Sequence, residues 1–270
     1  MAQALAVARL EARKILRTRQ VFGAWALALM PIVLYGARAI AIAVYPPAAD
    51  ARASWGQEAA TFATIFQGPI LSFVLFFGCL AVFASAARGD QLDRSLHFLL
   101  LTPARRETIL AGKYLAGLSA SVALFGASVL VSLVLMYVPH GLSESLDHLL
   151  RGPGLGHAAA YLGITVLACA AYGALFTALA LTFKNPIIPS LAVLGWEMLH
   201  PFLPTFLKKV TVIHWLGALC PVPVQQGPFA LIAERPAAWA AILGLLVSSG
   251  ILLALAAGRF RKLEIRYGTE

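Results

Sequence analysis

Glu197 and His200 are the two side chains of this sequence best able to do chemistry in apolar surroundings. They stand three residues apart, so a helix would set them one turn apart along one side. They also fall about ten residues into an apolar run, near the middle of a bilayer at ~1.5 Å per residue. A carboxylate at that depth is expensive and tends to face a partner or an aqueous cavity. The pair therefore reads as part of a substrate path or a dimer interface, with a structural Glu–His pair inside one subunit as the alternative. Other chemistry-bearing residues say less. Arg38, near the end of the first apolar run, can snorkel to the headgroups. His140, His148, His157 and His214 lack the close spacing of a metal site, and His140 and His148 read as solvated loop residues. Gly152-Pro-Gly-Leu-Gly156 has no strand before it and reads as a loop instead of a phosphate cradle. Cys79, Cys169 and Cys220 stand singly, with no CxxC pair, so neither a disulfide framework nor a zinc site follows.

The elements that must position these residues are membrane helices. Of the 270 residues, 60% are hydrophobic and only 12% charged, and the mean hydropathy is +0.81. An ordinary globular chain is roughly a quarter charged. Here the charges cluster between long apolar runs, which excludes a soluble domain. The fold class is all-α, a polytopic membrane protein with about six transmembrane helices. Spans are expected at 22–44, 62–87, 110–138, 157–183, 187–203 and 239–257. The stretch 204–236 is too broken by Pro and charge to cross, and reads as an outer loop with a re-entrant helix around 210–219. Trp215 would anchor that helix at the interface.

The net charge of +9 raises the question of nucleic acid. With the N-terminus inside, fifteen of the 21 Lys and Arg residues fall on the inner segments. The other six (Arg38, Arg52, Arg151, Lys208, Lys209 and Arg235) fall on the outer side. That asymmetry is membrane orientation, with both termini cytoplasmic, and it accounts for the basic balance without nucleic acid. Residues 1–20 carry Arg9, Arg13 and Arg17 as a stripe opposite Ala4, Leu5, Ala8, Ala12, Ile15 and Leu16. This is the signature of an amphipathic interfacial helix and not of a cleaved signal peptide.

The longest inner connection lies between the second and third spans. From 90 to 101 it has helical spacing, with Leu92, Leu96 and Leu99 on one face and Thr102-Pro103 as its stop. The opposite face carries Asp90, Arg94, His97, Phe98 and Leu101. Apolar side chains beside charges on a water-facing side suit a docking patch for a soluble partner. The alternative is a helix that merely lies on the headgroups.

This loop resembles the permease subunits of ABC-2 type transporters, the group that includes the nitrous-oxide-reductase maturation and gliding-motility permeases. The matching positions are Arg88 to Asp90, Ser95-Leu96, Leu99-Leu100-Leu101, Thr102-Pro103, Arg105-Arg106 and Leu110-Ala-Gly-Lys-Tyr114. Arg94-Ser95 stands where the family has Gly-Thr. The resemblance implies an elbow helix at 1–20, a coupling helix at 90–101, and one transmembrane domain over 1–270. It further implies a second permease copy, two copies of a soluble ATPase, a bacterial inner membrane, and transport that usually runs outward. ATP and Mg would belong to the ATPase. This chain has no G-x-x-x-x-G-K-[ST] stretch, Gly112-Lys113 lacking both the upstream glycine and the following Ser or Thr. It is expected to bind no cofactor itself and to be a transport subunit, not an enzyme. A secondary transporter, or a subunit that passes motion to a periplasmic partner without moving cargo, are the alternatives.

Topology is testable directly. Reporter fusions after Thr18 and Lys262 should report cytoplasm, and fusions near Arg52, Glu144 and Glu234 the outside. A cytoplasmic signal at Glu234 would remove the fifth crossing.

Overall fold

The computed structural model describes residues 8, 11–12, 21–46, 53–92, 105–224 and 235–261, and every regular element among them is helical. The first span is α1 (Phe22–Val44). The second is continuous from Trp55 but changes pitch: α2 (Trp55–Ile65), a π-helical stretch Phe66–Leu75 that contains Pro69, then α3 (Phe76–Leu92). Pro69 brings no N–H to the ladder, and widening the turns is one way a helix absorbs such a residue. The third span is α4 (Arg106–Tyr137), followed by the short surface helix α5 (Leu142–Arg151) and then the fourth span, α6 (Gly154–Thr182). The last long helix is α10 (Ala238–Arg261).

Among the described residues, five helices are thus long and apolar enough to cross a membrane. The expected fifth crossing, 187–203, is shorter than one span. It consists of α7 (Ile187–Met198) and a single 3₁₀ turn, His200–Phe202. After it come the one-turn α8 (Thr205–Lys208) and α9 (Val212–Leu219), the latter falling on the expected re-entrant helix. The connection 187–237 nevertheless joins opposite ends of the bundle. Arg88 donates to the carbonyls of Phe183 and Lys184 just before α7, and Arg106 donates to the Arg261 carbonyl at 2.8 Å at the end of α10. Ile109 and Leu110 pack with Ala256 and Phe260 of α10 in a small cluster at this Arg-rich end. The start of α10 consequently lies at the other, His-rich end, with Trp55, His140, His148 and His157.

The bundle is organised around α6, which packs against α3, α4, α9 and α10. Aromatic side chains fill the seams: Phe62, Phe66 and Tyr161 meet near the His-rich end, and Phe76, Tyr172 and Phe176 deeper in. By contrast, only 22% of the most apolar window of α1 and of α10 is buried, against 72% in the second span. Phe22, Leu29, Val33 and Ile40 on α1, with Leu243, Val247, Ile251 and Leu255 on α10, remain exposed. In a polytopic membrane protein those faces meet lipid.

Small residues let the inner helices approach closely, the usual device where lipid supplies no hydrophobic drive between helices. A Cβ built on Gly173 would lie 2.3 Å from the Phe83 ring, and one on Gly78 would lie 2.0 Å from the Phe125 ring. Both rings are fully buried and have nowhere to retreat. Gly173→Ala and Gly78→Ala should each destabilise by about 1–3 kcal/mol, the usual range for overpacking. Gly163→Ala, with no neighbour within 4 Å of the added atom, should be neutral or better. Thermal unfolding of the three variants in one detergent checks the ranking, and equal melting temperatures would contradict this packing.

Candidate functional site: a polar junction between two half-helices

The end of α7 and the start of α9 meet through Glu197. Its Oε1 accepts from the Val212 N–H at 2.8 Å and its Oε2 from the Ile213 N–H at 3.0 Å. These are the first two amides of α9, which have no acceptor inside their own helix. No side chain of Thr211, the residue preceding α9, caps them. One buried carboxylate therefore supplies what the local sequence does not, and it sits at the positive end of the short helix dipole. Glu197 is 3% exposed, so the two charge-assisted bonds are what make its burial tolerable.

His200 does not join Glu197, as a helix continued past Met198 would have it do. The turn that begins at His200 swings its ring to His214 of α9, with Nε2 to Nδ1 at 3.5 Å, so that one nitrogen donates and the other accepts. Lys208, also buried, lies within electrostatic reach of both rings. The Lys209 carbonyl accepts from Trp215 Nε1 at 2.8 Å. Trp215 in turn covers Gly244 of α10, where an added Cβ would meet the indole at 3.4 Å. Trp215 is thus fixed by the backbone at one edge and by α10 on its face. Gln67, in the π-helical stretch, reaches across to donate to the Val222 carbonyl at 3.0 Å. Sequence reasoning singled out Glu197 and His200 but missed His214 and Lys208. Their signal was present, since both are ionisable residues beside an apolar helix too short to span.

A second polar group closes the His-rich end. Arg38 does not snorkel freely; its guanidinium bonds the Glu58 carboxylate at 2.5 Å, and His140 approaches the same oxygen at 3.4 Å. Glu58 is 2% exposed. Nor are His140 and His148 solvated loop residues. Both rings lie against the Trp55 indole, at centroid distances of 4.2 and 4.1 Å, the latter nearly parallel. Trp55 is placed by a capping box in which the Ser54 hydroxyl accepts from the Gln57 N–H and the Gln57 side chain accepts from the Ser54 N–H. A pocket beside it is lined by Trp55, Tyr137, His148, His157 and Tyr161. The three cysteines are buried and free. Among the described residues no three His, Cys, Asp or Glu side chains converge as a metal site requires.

Of the expected docking residues, the backbone at Asp90 continues α3 as far as Leu92. Arg94, His97, Phe98 and Leu101 lie outside the described residues, as does most of the 1–20 helix. What flanks that loop is described, and it is tied down. The Lys113 ammonium donates to the Ala86 carbonyl of α3 at 3.0 Å and lies 3.5 Å from the Glu11 carboxylate of the N-terminal segment. Arg88 caps the end of α6, and Arg106 and Glu107 both engage Arg261. No family model matches the chain, and no curated protein matches it either.

His148 gives the His-rich end a pH response. Partial burial holds its pKa below the ordinary value, and His157 and His140 push the same way. The packed ring resists a proton that a freed imidazole accepts below about pH 6.5. Its contribution to packing is therefore complete above that value and is lost as pH falls through it. Acidification from about pH 8 to about pH 5 should loosen α5 from Trp55, with a transition that His148→Gln abolishes. The measurement is the fluorescence difference between the wild-type chain and Trp55→Phe across that range. A difference that stays flat would mean the stacked ring does not respond.

Proposed function

We propose that this chain is the membrane-spanning permease subunit of an ABC-2 type transporter, an exporter that forms the translocation path and is driven by a separate ATPase. The observation that carries the reading is the frame around residues 93–104. Lys113 fastens the end of α3 and the start of α4 to the N-terminal segment through Ala86 and Glu11. Arg88 and Arg106 fasten the same region to the ends of α6 and α10. A loop that must pass force into a membrane domain needs rigid flanks joined to several spans, because a soft attachment would absorb the displacement. The Leu110-Ala-Gly-Lys-Tyr114 stretch, which resembles the family's entry to the third span, contributes the central ammonium of that frame. On this reading the Arg-rich end faces the cytoplasm, in keeping with its excess of Lys and Arg. A second permease copy completes the path, and ATP-driven closure of two ATPase copies moves the coupling helices.

The purified chain alone should hydrolyse no ATP above background, and its ATPase should co-purify with it. Phe98→Asp should weaken that capture by roughly thirtyfold, the equivalent of about 2 kcal/mol for a lost aromatic anchor. Ser95→Asp, off the proposed docking face, should not. Full capture and full transport-coupled turnover in both variants would end the coupling-helix assignment.

A further inference from the structure

The surface helix α5 divides its ten residues among three faces, where a helix resting on a soluble core would need two. At about 100° per residue, Leu142, Leu146 and Leu150 fall within one arc of about 80°. All three are exposed, at 77%, 45% and 68%. A second arc carries Ser145, His148 and Leu149, and each of them meets the bundle. The Ser145 hydroxyl donates to the Tyr137 carbonyl at 3.0 Å, the His148 ring stacks on Trp55 at 4.1 Å, and Leu149 packs against the core. The remaining arc, Ser143, Glu144, Asp147 and Arg151, is exposed and polar, with the Asp147 and Arg151 side chains paired at 3.3 Å. Protein on one side and water on another account for two of these faces. The leucine arc stands roughly a third of a turn from both, and it needs a third medium.

The turns at the two ends of α5 give that arc a defined place. Gly141, at φ 83°, adopts a backbone conformation open to glycine and redirects the chain between α4 and α5. After α5, a Cβ on Gly152 would lie 2.5 Å from the His148 carbonyl oxygen, and one on Gly154 would lie 2.9 Å from the Leu149 Cα. The chain therefore doubles back directly against α5 as it enters α6. The leucines stand at the level where one span ends and the next begins. Lipid-facing surface runs up to this level on both sides, with Val134 and Val138 exposed about the end of α4 and Leu155 at the start of α6.

We propose that α5 lies in the membrane interface at the rim of the His-rich end, with Leu142, Leu146 and Leu150 inserted at the acyl-chain boundary and Glu144, Asp147 and Arg151 in water. The partner is the apolar part of the lipid. Two acids and one arginine give the polar face no basic surface for anionic headgroups, the attraction on which free amphipathic helices rely. Covalent joins to two spans make that attraction unnecessary. Because His148 of the same helix lines the pocket beside Trp55, the lipid that holds the leucines also steadies one wall of that pocket. The inference rests on the polytopic membrane fold and does not need the permease reading.

The test places one new tryptophan at a time in the full-length chain in phosphatidylcholine nanodiscs, as Leu146→Trp, Leu150→Trp or Glu144→Trp, and reads each indole by difference against wild type. Two quenchers separate the media: phosphatidylcholine brominated near the headgroup end of its acyl chains, and aqueous iodide. Leu146→Trp and Leu150→Trp should be quenched by the brominated lipid and reached by iodide about fivefold less than Glu144→Trp, as fits insertion ~5–10 Å into the boundary. Glu144→Trp should show the reverse. All three positions are exposed, so folding should survive, and Leu142→Trp replaces either leucine variant that does not melt like wild type. Iodide quenching as strong on the leucine face as at Glu144 would put the stripe in water and overturn the proposal. Shielding from both quenchers would mean that polypeptide covers the leucines, from a second copy or another segment, and would overturn it equally. So would brominated-lipid quenching at Glu144 that matches Leu146, since the helix would then be wholly immersed. Adding phosphatidylglycerol should leave the pattern unchanged, and a lipid contact that forms only with the anionic lipid would overturn the apolar assignment.

Discussion

Lipid offers a polypeptide no hydrogen bonds, so each backbone N–H and C=O at membrane depth must find its partner within the chain. The long spans meet this requirement by being helical throughout. At their ends and at every interruption it has to be met by side chains, and several polar contacts between elements among the described residues are of that kind. Glu197 serves the amides that open α9. Arg88 serves carbonyls that close α6, Arg106 a carbonyl that closes α10, and Lys113 a carbonyl of α3. Charged residues that appear costly in a mostly apolar chain are concentrated where helices end.

That constraint also separates the two polar centres. At the His-rich end, Arg38, Glu58 and His140 share charge among themselves, while aromatic stacking on Trp55 holds the neighbouring imidazole. The centre is a seam that brings α1, α2, α5 and the end of α4 together. At the α7–α9 junction, the Glu197 carboxylate is committed to the first amides of α9, while His200 pairs with His214.

The long spans were legible because hydropathy is a sum over many residues, and α1, α4, α6 and α10 lie within a few residues of expectation. Glu197 was legible as an expensive residue, but its partners are backbone amides, which carry no signal in sequence. His140 and His148 were misread because the surface that holds them, Trp55, is remote in the chain. The partner of Arg38 was missed for the same reason, Glu58 lying in the next helix. The π-helical stretch was not foreseen either. Pro69 marks the place, but whether a proline kinks a helix or widens it depends on what packs around it. The docking helix expected over 90–101 lies, beyond Leu92, outside the described residues.

The broken crossing decides which way the last helix points. Five long helices are an odd number, and an odd number of passages would leave the two ends of the protein on opposite sides of the bilayer. Arg261 nevertheless meets Arg106 and Glu107 at the same end as Lys113 and Glu11. The fragments from Ile187 to Leu219 leave from the Arg-rich end, where Arg88 holds the carbonyls just before α7, and α10 sets out from the other end. A connection made in short pieces leaves each break with backbone groups of its own to satisfy, and the carboxylate of Glu197 does this for the two amides that open α9.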